Sequence, residues 1–336
     1  MDQTAVILVN VGTPDSPAVA DVRRYLFQFL NDRRVIDLPW LLQKVLVNLI
    51  IVPFRAPKSA RLYQSLWDEK GSPLLYFSNS VAAKLQLRMG ETYQIFNAMR
   101  YGNPGLGNVL KTIRNQNFRK VIILPVFPQY ASATTGSVFE YILSEISDWP
   151  AIPELKLINQ FHDHPAFVSA FAAQAAKYDV HHWDHVIFSF HGLPLSQISK
   201  VHPHLDCRDC KCKLESIPQG KLCYQAACYE TARLISAQAG LSTNNYSVSF
   251  QSRLTKDWMS PFTDKVLIQK AQEGIKRILI LAPSFVADCL ETKIEIEKEY
   301  SHLFKAHGGE QLQLVESLND NDFWIEALKQ MISDRR

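Results

Sequence analysis

Short apolar runs that do not alternate with polar residues constrain this chain more than any other feature. Residues 5–11 read Ala-Val-Ile-Leu-Val-Asn-Val, and comparable runs occupy 93–99, 120–126, 155–159, 185–190, 246–250 and 277–282. A strand with one wet face alternates in polarity, whereas a strand apolar throughout must be covered on both faces. Amphipathic stretches at 16–31, 40–52, 57–68, 77–90, 105–116, 136–147, 165–178, 224–239, 264–274, 292–304 and 321–333 supply the covers. The alternation predicts parallel sheets flanked by helices, an α/β architecture.

The pattern also occurs twice. Lys120-Val-Ile-Ile-Leu124 is echoed by Arg277-Ile-Leu-Ile-Leu281, and Ala5-Val-Ile-Leu-Val-Asn-Val-Gly12 by His185-Val-Ile-Phe-Ser-Phe-His-Gly192. Tyr93 stands seven residues before Arg100, as Tyr246 does before Arg253. Three echoes in one order predict two similar α/β domains with a cleft between them. Ligands of open parallel sheets bind beyond the carboxyl ends of the strands.

Composition narrows the function class. The 336 residues carry 36 Lys+Arg against 33 Asp+Glu, a net charge of +3, with 47% hydrophobic residues. This is a globular composition, and the charge is too small for nucleic acid to be the main partner. The strand at 5–11 starts where a signal peptide would need a basic region and an apolar core, so a cytoplasmic protein with reduced thiols is expected. The longest apolar stretch, Leu38 to Phe54, contains Lys44 and is bracketed by Pro39 and Pro53. It falls short of the roughly 20 apolar residues that a spanning helix needs.

Three segments carry candidate chemistry. Phe188-Ser-Phe-His-Gly-Leu-Pro194 puts His191 just past a strand end, as a polar loop residue or as a base or metal ligand. Ala282-Pro-Ser-Phe-Val-Ala-Asp-Cys-Leu-Glu-Thr292 follows the equivalent strand of the repeat and sets Asp288 and Glu291 three apart at a helix start. Capping is the plain reading of Asp288; two carboxylates beside Phe285 also suit a proton or cation site. The loop Pro125 to Gly136 combines Phe127 and Tyr130 with several hydroxyls, which suits a flat aromatic ligand with polar edges. Gly12-Thr-Pro14 is a weak turn signal, and neither a GxGxxG pattern nor a phosphate loop is present.

These segments, with others, resemble ferrochelatases, which insert ferrous iron into protoporphyrin to make haem. The matching stretches are Leu8-Val-Asn-Val-Gly-Thr-Pro14, Gly71-Ser-Pro73, Met99-Arg-Tyr-Gly102, Pro128-Gln-Tyr-Ala-Ser-Ala-Thr-Thr-Gly136, Phe188 to Pro194, Phe250-Gln-Ser-Arg253 with Trp258, and Asp288-Cys-Leu-Glu-Thr292. They come in the family's order over nearly the whole chain. The resemblance implies the chelatase fold, two similar Rossmann-like domains. The domains are expected at 1–160 plus a C-terminal helix at about 318–336, and at 161–317. It implies His191 and Glu291 at the metal-insertion site, with Asp288 in an acidic proton path. Arg100, Tyr101, Tyr130, Ser132, Thr134, Phe285 and Trp258 fall where the family lines its porphyrin cleft. Departures occur too. Val11, Thr13 and Asp15 stand where some members present Met or Tyr, and Tyr63-Gln64-Ser65 where some have arginines. The alternatives are a non-catalytic tetrapyrrole- or metal-binding protein of this fold and a chelatase acting on coproporphyrin.

Two further expectations rest partly on the resemblance. Five of the six cysteines lie between Cys207 and Cys228, and Cys289 is alone. Cys228 stands where relatives without a metal cluster often have a cysteine. That leaves Cys207, Cys210, Cys212 and Cys223 in an insertion spanning 201–228. Four thiolates suit zinc or iron–sulfur, and His202 or His204 can replace one ligand. Several bacterial ferrochelatases bind a [2Fe–2S] cluster in this region, which favours iron–sulfur here. The stretch 40–52 places Leu42, Val45, Leu46 and Leu49 on one helical face, extended by Ile50 and Ile51. It belongs to the region the family uses as an apolar lip over the porphyrin pocket (38–54 here), so weak peripheral contact with the inner face of the cytoplasmic membrane is expected.

Overall fold

The structure, a computed structural model, describes residues 3–201, 210–215 and 222–334. Eight strands form in chain order: β1 (Thr4–Thr13), β2 (Tyr93–Gly102), β3 (Lys120–Pro125), β4 (Glu154–Leu157), β5 (His185–His191), β6 (Tyr246–Gln251), β7 (Arg277–Leu281) and β8 (Gln311–Leu314). They pair into two four-stranded sheets of order β2-β1-β3-β4 and β6-β5-β7-β8. Every pairing is parallel. The two sheets therefore share one topology, in which β1 corresponds to β5, β2 to β6 and β3 to β7. The three sequence echoes fall on these three pairs.

The chain divides into two compact units, one of Met1–Phe127, Ala131–Gln160 and Leu328–Arg336, the other of Pro128–Tyr130 and Phe161–Ala327. In the first, Ala5, Ile7 and Val9 of β1 pack with Leu106, Leu110 and Ile113 of one covering helix and Val138, Ile142 and Ile146 of another. In the second, Ile187, Ile278 and Ile280 pack with Val266, Leu267, Ile296 and Phe304. Alternate residues of β1, Val6 and Leu8, are equally buried, as covering on both faces requires. Gly12, at φ +111°, lets the ends of β1 and β2 cross: a Cβ there would lie 1.7 Å from the Tyr101 carbonyl oxygen.

The structure departs from the sequence expectation in three places. β8 was not foreseen. Its four residues read Gln-Leu-Gln-Leu, and as an edge strand it shows alternation rather than a solid apolar run. The two helices expected at 40–52 and 57–68 are one, Trp40–Leu66, long and apolar enough by length and composition to cross a membrane. It runs through Pro53 and Pro57, with the widened π-helical turn Leu46–Ile51 just before the first proline. The helix expected over 292–304 is π-helical from Glu291 to Tyr300 and α-helical only over Ser301–Ala306.

His185, the first residue of β5, is buried, and its Nε2 stands 2.7 Å from Ser247 Oγ. Burial, helped by Lys270 and opposed by Glu273, lowers its pKa from 6.5 to about 4. The unfolded chain thus takes up this proton first, so stability is full above pH 6.5 and declines as pH falls towards 4. The urea midpoint of the protein should drop between pH 6.5 and 4, and the drop should be smaller in His185→Asn. Equal drops would assign the acid loss to other groups.

Candidate functional site

In a sheet of order β6-β5-β7-β8 the chain leaves β5 to one side for β6 and returns to the other side for β7. The carboxyl ends of β5 and β7 flank the point where the order reverses, the place where open parallel sheets bind ligands. His191 is the last residue of β5, opposite Gln251 at the end of β6. Gly192 follows, and a Cβ on it would stand 3.0 Å from the Gln251 carbonyl oxygen, so the two strand ends meet closely. The His191 ring lies 6.3 Å from the Trp258 ring and 6.2 Å from the Phe285 ring. Its Nδ1 is 2.6 Å from the Gly192 carbonyl oxygen. A carbonyl only accepts, so Nδ1 carries a proton, and in the neutral ring the lone pair is on Nε2. The backbone under the ring is also held: the buried Tyr224 hydroxyl donates to the His191 carbonyl oxygen at 2.8 Å.

The loop after β7 carries the two expected carboxylates into different settings. Asp288 is buried and surrounded by donors. Thr292 Oγ1 reaches Oδ1 at 3.2 Å, Asn319 Nδ2 reaches Oδ2 at 2.9 Å, and the Ser317 backbone N–H points at Oδ1. None of these donors is a backbone N–H of the helix start, so Asp288 is held in a side-chain and loop network in place of the expected cap. Glu291 opens the π-helical stretch, half-buried. Its backbone carbonyl accepts from Gln251 Nε2 at 3.1 Å. The Cys289 thiol bonds its carboxylate, and burial first, then the Glu291 charge, holds that thiol well above its usual pKa. Cys289 therefore stays protonated, a weak donor beside Glu291.

Glu295, one turn beyond Glu291, was not singled out in the sequence. Its carboxylate accepts from the Ser252 backbone N–H at 2.8 Å, Ser252 Oγ at 2.5 Å, Gln251 Nε2 at 3.1 Å and Tyr300 OH at 2.7 Å. The Phe250-Gln-Ser-Arg253 segment is thereby tied to the helix that starts at Glu291. The run Glu291, Glu295, Glu299 at intervals of four was the available signal.

Five of the seven residues expected at a porphyrin lie outside this cluster. In the first unit Arg100 stacks on Tyr101 and Tyr141 and ion-pairs with Asp32 at 2.8 Å. Tyr101 is 2% exposed and donates to the same Asp32 carboxylate at 2.8 Å. Burial opposes ionisation of Asp32, yet hydrogen bonds from Ser137, the Arg34 backbone and Tyr101, with the Arg100 charge, hold its pKa below the usual range. Arg100 and Tyr101 thus belong to a polar core network, and Tyr101 offers no open surface. Ser132 and Thr134 are half-buried on the π-helical turn Ser132–Gly136, where Arg34 Nη1 donates to Ser132 Oγ at 3.0 Å. Tyr130 is half-buried on the loop before that turn.

Of the cysteines, Cys207 lies outside the described residues, as do His202 and His204. Cys210 Sγ accepts from the Cys212 backbone N–H, and Cys212 Sγ from Gln225 Nε2 at 3.3 Å. Burial pushes the Cys212 thiol up to about 12, with further upward pressure from Cys210 and Cys223. Among the described residues, no three His, Cys, Asp or Glu side chains converge on one point closely enough to hold a metal ion.

The helix Trp40–Leu66 buries Val47, Val52, Ala56 and Ala60 but also exposes a broad apolar face. Gln43 is buried and bonds the Leu30 carbonyl, while Trp40 is 70%, Leu49 68% and Phe54 73% exposed. Leu42, Val45 and Ile50 are exposed beside them, so the predicted apolar face points outward.

Comparison with known proteins agrees with the fold. The sirohydrochlorin chelatase SirB of Bacillus subtilis, solved with Fe3+, superposes with a TM-score of 0.55 at 11% identity, covering 98% of this chain and 96% of its own. The chelatase-like protein DR2241 of Deinococcus radiodurans gives 0.55 at 12% identity, covering all of this chain and 56% of its own. At these identities the likeness concerns the fold: a two-domain chelatase-like α/β architecture. Sequence is more specific. The chain is 40% identical to a ferrochelatase of Legionella pneumophila, covering 98% of both chains, and 39% identical to that of Pseudomonas putida, covering 98% of this chain and 99% of the relative. The family described as Ferrochelatase matches over residues 3–336. With that match over almost its whole length, the chain belongs to the ferrochelatase family, enzymes that insert a metal ion into a porphyrin.

Proposed function

We propose that this protein inserts Fe2+ into protoporphyrin IX, giving protohaem and two protons, the last step of haem biosynthesis, and that His191 and Glu291 act at the reacting centre. The observation that carries the reading is the His191 ring itself. It sits at a sheet switch point with Nδ1 against the Gly192 carbonyl and the Trp258 and Phe285 rings nearby. A metal-free porphyrin has two pyrrole N–H groups that must lose their protons as iron enters, and a flat ring shields its own nitrogens. Binding energy from the rest of the macrocycle can hold the ring bent and open that path. Nε2 of His191 then offers a lone pair to a pyrrole proton or to the metal. Glu291 supplies negative charge for the cation and a station for the departing proton. Asp288, with its donors, holds the loop on which Glu291 stands. Phe285 and Trp258 supply apolar faces for the ring; Tyr130, Ser132 and Thr134 are assigned to its polar edge, and Arg100 and Tyr101 to the support beneath.

The cysteines are assigned a structural [2Fe–2S] cluster held by Cys207, Cys210, Cys212 and Cys223. The reading rests on the spacing of these four cysteines and on the family resemblance. When bound, the cluster would tie the insertion to the start of the helix Tyr224–Gln238. The outward apolar face of Trp40–Leu66 is assigned to peripheral contact with the inner face of the cytoplasmic membrane. Arg55, Lys58 and Arg61 are exposed further along the same helix, suited to lipid headgroups.

His191→Ala should abolish metal insertion in an oxygen-free absorbance assay while leaving the fold intact. Glu291→Gln should lower turnover by about 100-fold or more with porphyrin binding retained. Near wild-type turnover in both would sink the assignment.

Aerobically purified protein should be brown, with about two iron and two sulfide per chain, and Cys212→Ser should lose the colour. A colourless protein with stoichiometric zinc would place zinc at these thiols instead.

The protein should float with liposomes, and Leu49→Asp with Phe54→Asp should leave it in the unbound fraction. Failure of the unmodified protein to float would remove the membrane reading.

A further inference from the structure

Tyr224 stands at the head of a helix whose first turns carry two cysteines, yet its hydroxyl reaches the end of β5. It donates to the His191 carbonyl oxygen at 2.8 Å and lies 3.1 Å from Ser284 Oγ. The Cys228 thiol bonds the same hydroxyl. Ser284 in turn reaches Gln129 Oε1 at 3.2 Å, and Gln129 Nε2 donates to Thr231 Oγ1 at 3.1 Å. Counting protons fixes the directions. A phenol has one hydrogen to give and two lone pairs to fill. The Tyr224 hydrogen goes to His191, since a carbonyl cannot donate, and the Ser284 hydrogen goes to Gln129 Oε1, since an amide oxygen cannot donate either, so the two hydroxyls meet without a hydrogen to share.

The side chain is buried, so each of these bonds forms away from water, where an unmatched partner is costly. Its position joins three pieces of backbone: the end of β5 bearing His191, the loop after β7 bearing Ser284 and Phe285, and the helix Tyr224–Gln238. Both Nδ1 of His191 and the carbonyl that it contacts belong to the short stretch whose preceding carbonyl Tyr224 holds. Tilting that peptide rotates the ring and moves Nε2. Phe285, on the other side of the ring, is one residue from Ser284.

We infer that Tyr224 is a positioning residue for His191. Its hydroxyl sets the direction of Nε2 and makes that direction depend on the seating of the cysteine-bearing helix. The inference rests on the role proposed for His191. Iron insertion is then sensitive to how the helix Tyr224–Gln238 is seated, through the hydrogen bond from Tyr224 to the His191 carbonyl.

The test is Tyr224→Phe, which removes the hydroxyl and keeps the ring, with His191→Ala run beside it. For Tyr224→Phe we expect kcat for Fe2+ insertion into protoporphyrin IX to fall about tenfold, the scale of one lost buried hydrogen bond. KM for the porphyrin should stay within twofold of the parent, the acid limb of the pH–rate profile should move, and the His191 ring signals should shift in NMR spectra of histidine-labelled protein. Unchanged kcat, profile and ring signals in a folded Tyr224→Phe, with turnover lost in His191→Ala, would overturn this inference alone. Turnover retained in His191→Ala would overturn the site reading beneath it. If Tyr224→Phe does not fold, Ser284→Ala carries the same test, with a smaller loss of kcat and the same shift of the ring signals expected, and no shift overturning the inference.

Discussion

Parallel pairing of β5 with β6 on one side and β7 on the other governs what the second unit can present. It fixes His191 opposite Gln251 and sends the loops after β5 and β7 out of the same edge of the sheet. Strand side chains alternate between faces, so a slip of one residue would turn β5 over and put Phe190 where His191 stands. The buried alternation prevents that slip: Val186, Phe188 and Phe190 on one face and Ile187 and Ser189 on the other are all buried. Ser189 is the polar member of the run, and it is accommodated because its hydroxyl donates to Gln251 Oε1 at 2.8 Å and meets Thr263 Oγ1 at 2.9 Å. The same Gln251 then passes its amide to the Glu291 carbonyl and to Glu295. The register of one strand is thus transmitted to the acidic helix by hydrogen bonds.

The carboxylates show how position separates structural from chemical use. A buried charge is tolerated where donors surround it. Asp32, Asp288 and Glu295 each have at least three, and each joins elements distant in sequence. Glu291 has the Cys289 thiol beside it, a far weaker donor than the hydroxyls and N–H groups around the others. A carboxylate so lightly held is the better candidate to change partners during a reaction, whereas disturbing one of the other three would unsettle the loops they hold.

Much of this was legible in the chain. The central strands β1, β3, β5 and β7 announced themselves because they are buried on both faces, and the doubled topology showed through because equivalent strands kept similar lengths of apolar run. β8 escaped because an edge strand needs only alternate apolar residues, and four residues are too few for a periodic signal. His191, Phe285 and Trp258 come together as the motifs implied, although their spacing in sequence carries no distance. Asp288 and Glu291 look alike on paper, since what distinguishes them is donated by Asn319 and Ser317, some thirty residues away. Arg100 and Tyr101 looked like ligand contacts because cationic and aromatic residues serve surfaces and polar cores equally well. Both bond Asp32, a partner sixty-eight and sixty-nine residues away that the motif does not announce. The π-helical register at Glu291–Tyr300 has no sequence signature of its own, so its effect on Glu295 was invisible.

The helix Trp40–Leu66 is where sequence and burial disagree most usefully. Amphipathic helices of globular units turn their leucines inward, and periodicity alone cannot say which way a face points. Here the inward position goes to Gln43, whose amide bonds the Leu30 carbonyl, while Lys44 bonds Asn31 Oδ1 at 2.8 Å. These polar contacts tie the start of the helix to the end of the helix Val19–Leu30, while Val47, Val52, Ala56 and Ala60 are buried further along. The apolar side is left outside as a consequence of that anchoring. An outward leucine, isoleucine or phenylalanine forgoes about 1.5–3 kcal/mol that burial would contribute. Several on one face are tolerable only if something apolar covers them for part of the time. A bilayer surface satisfies that condition, and so does the approach of a poorly soluble macrocycle leaving it. The same helix can therefore serve as the point of contact and as the path by which the proposed substrate leaves lipid.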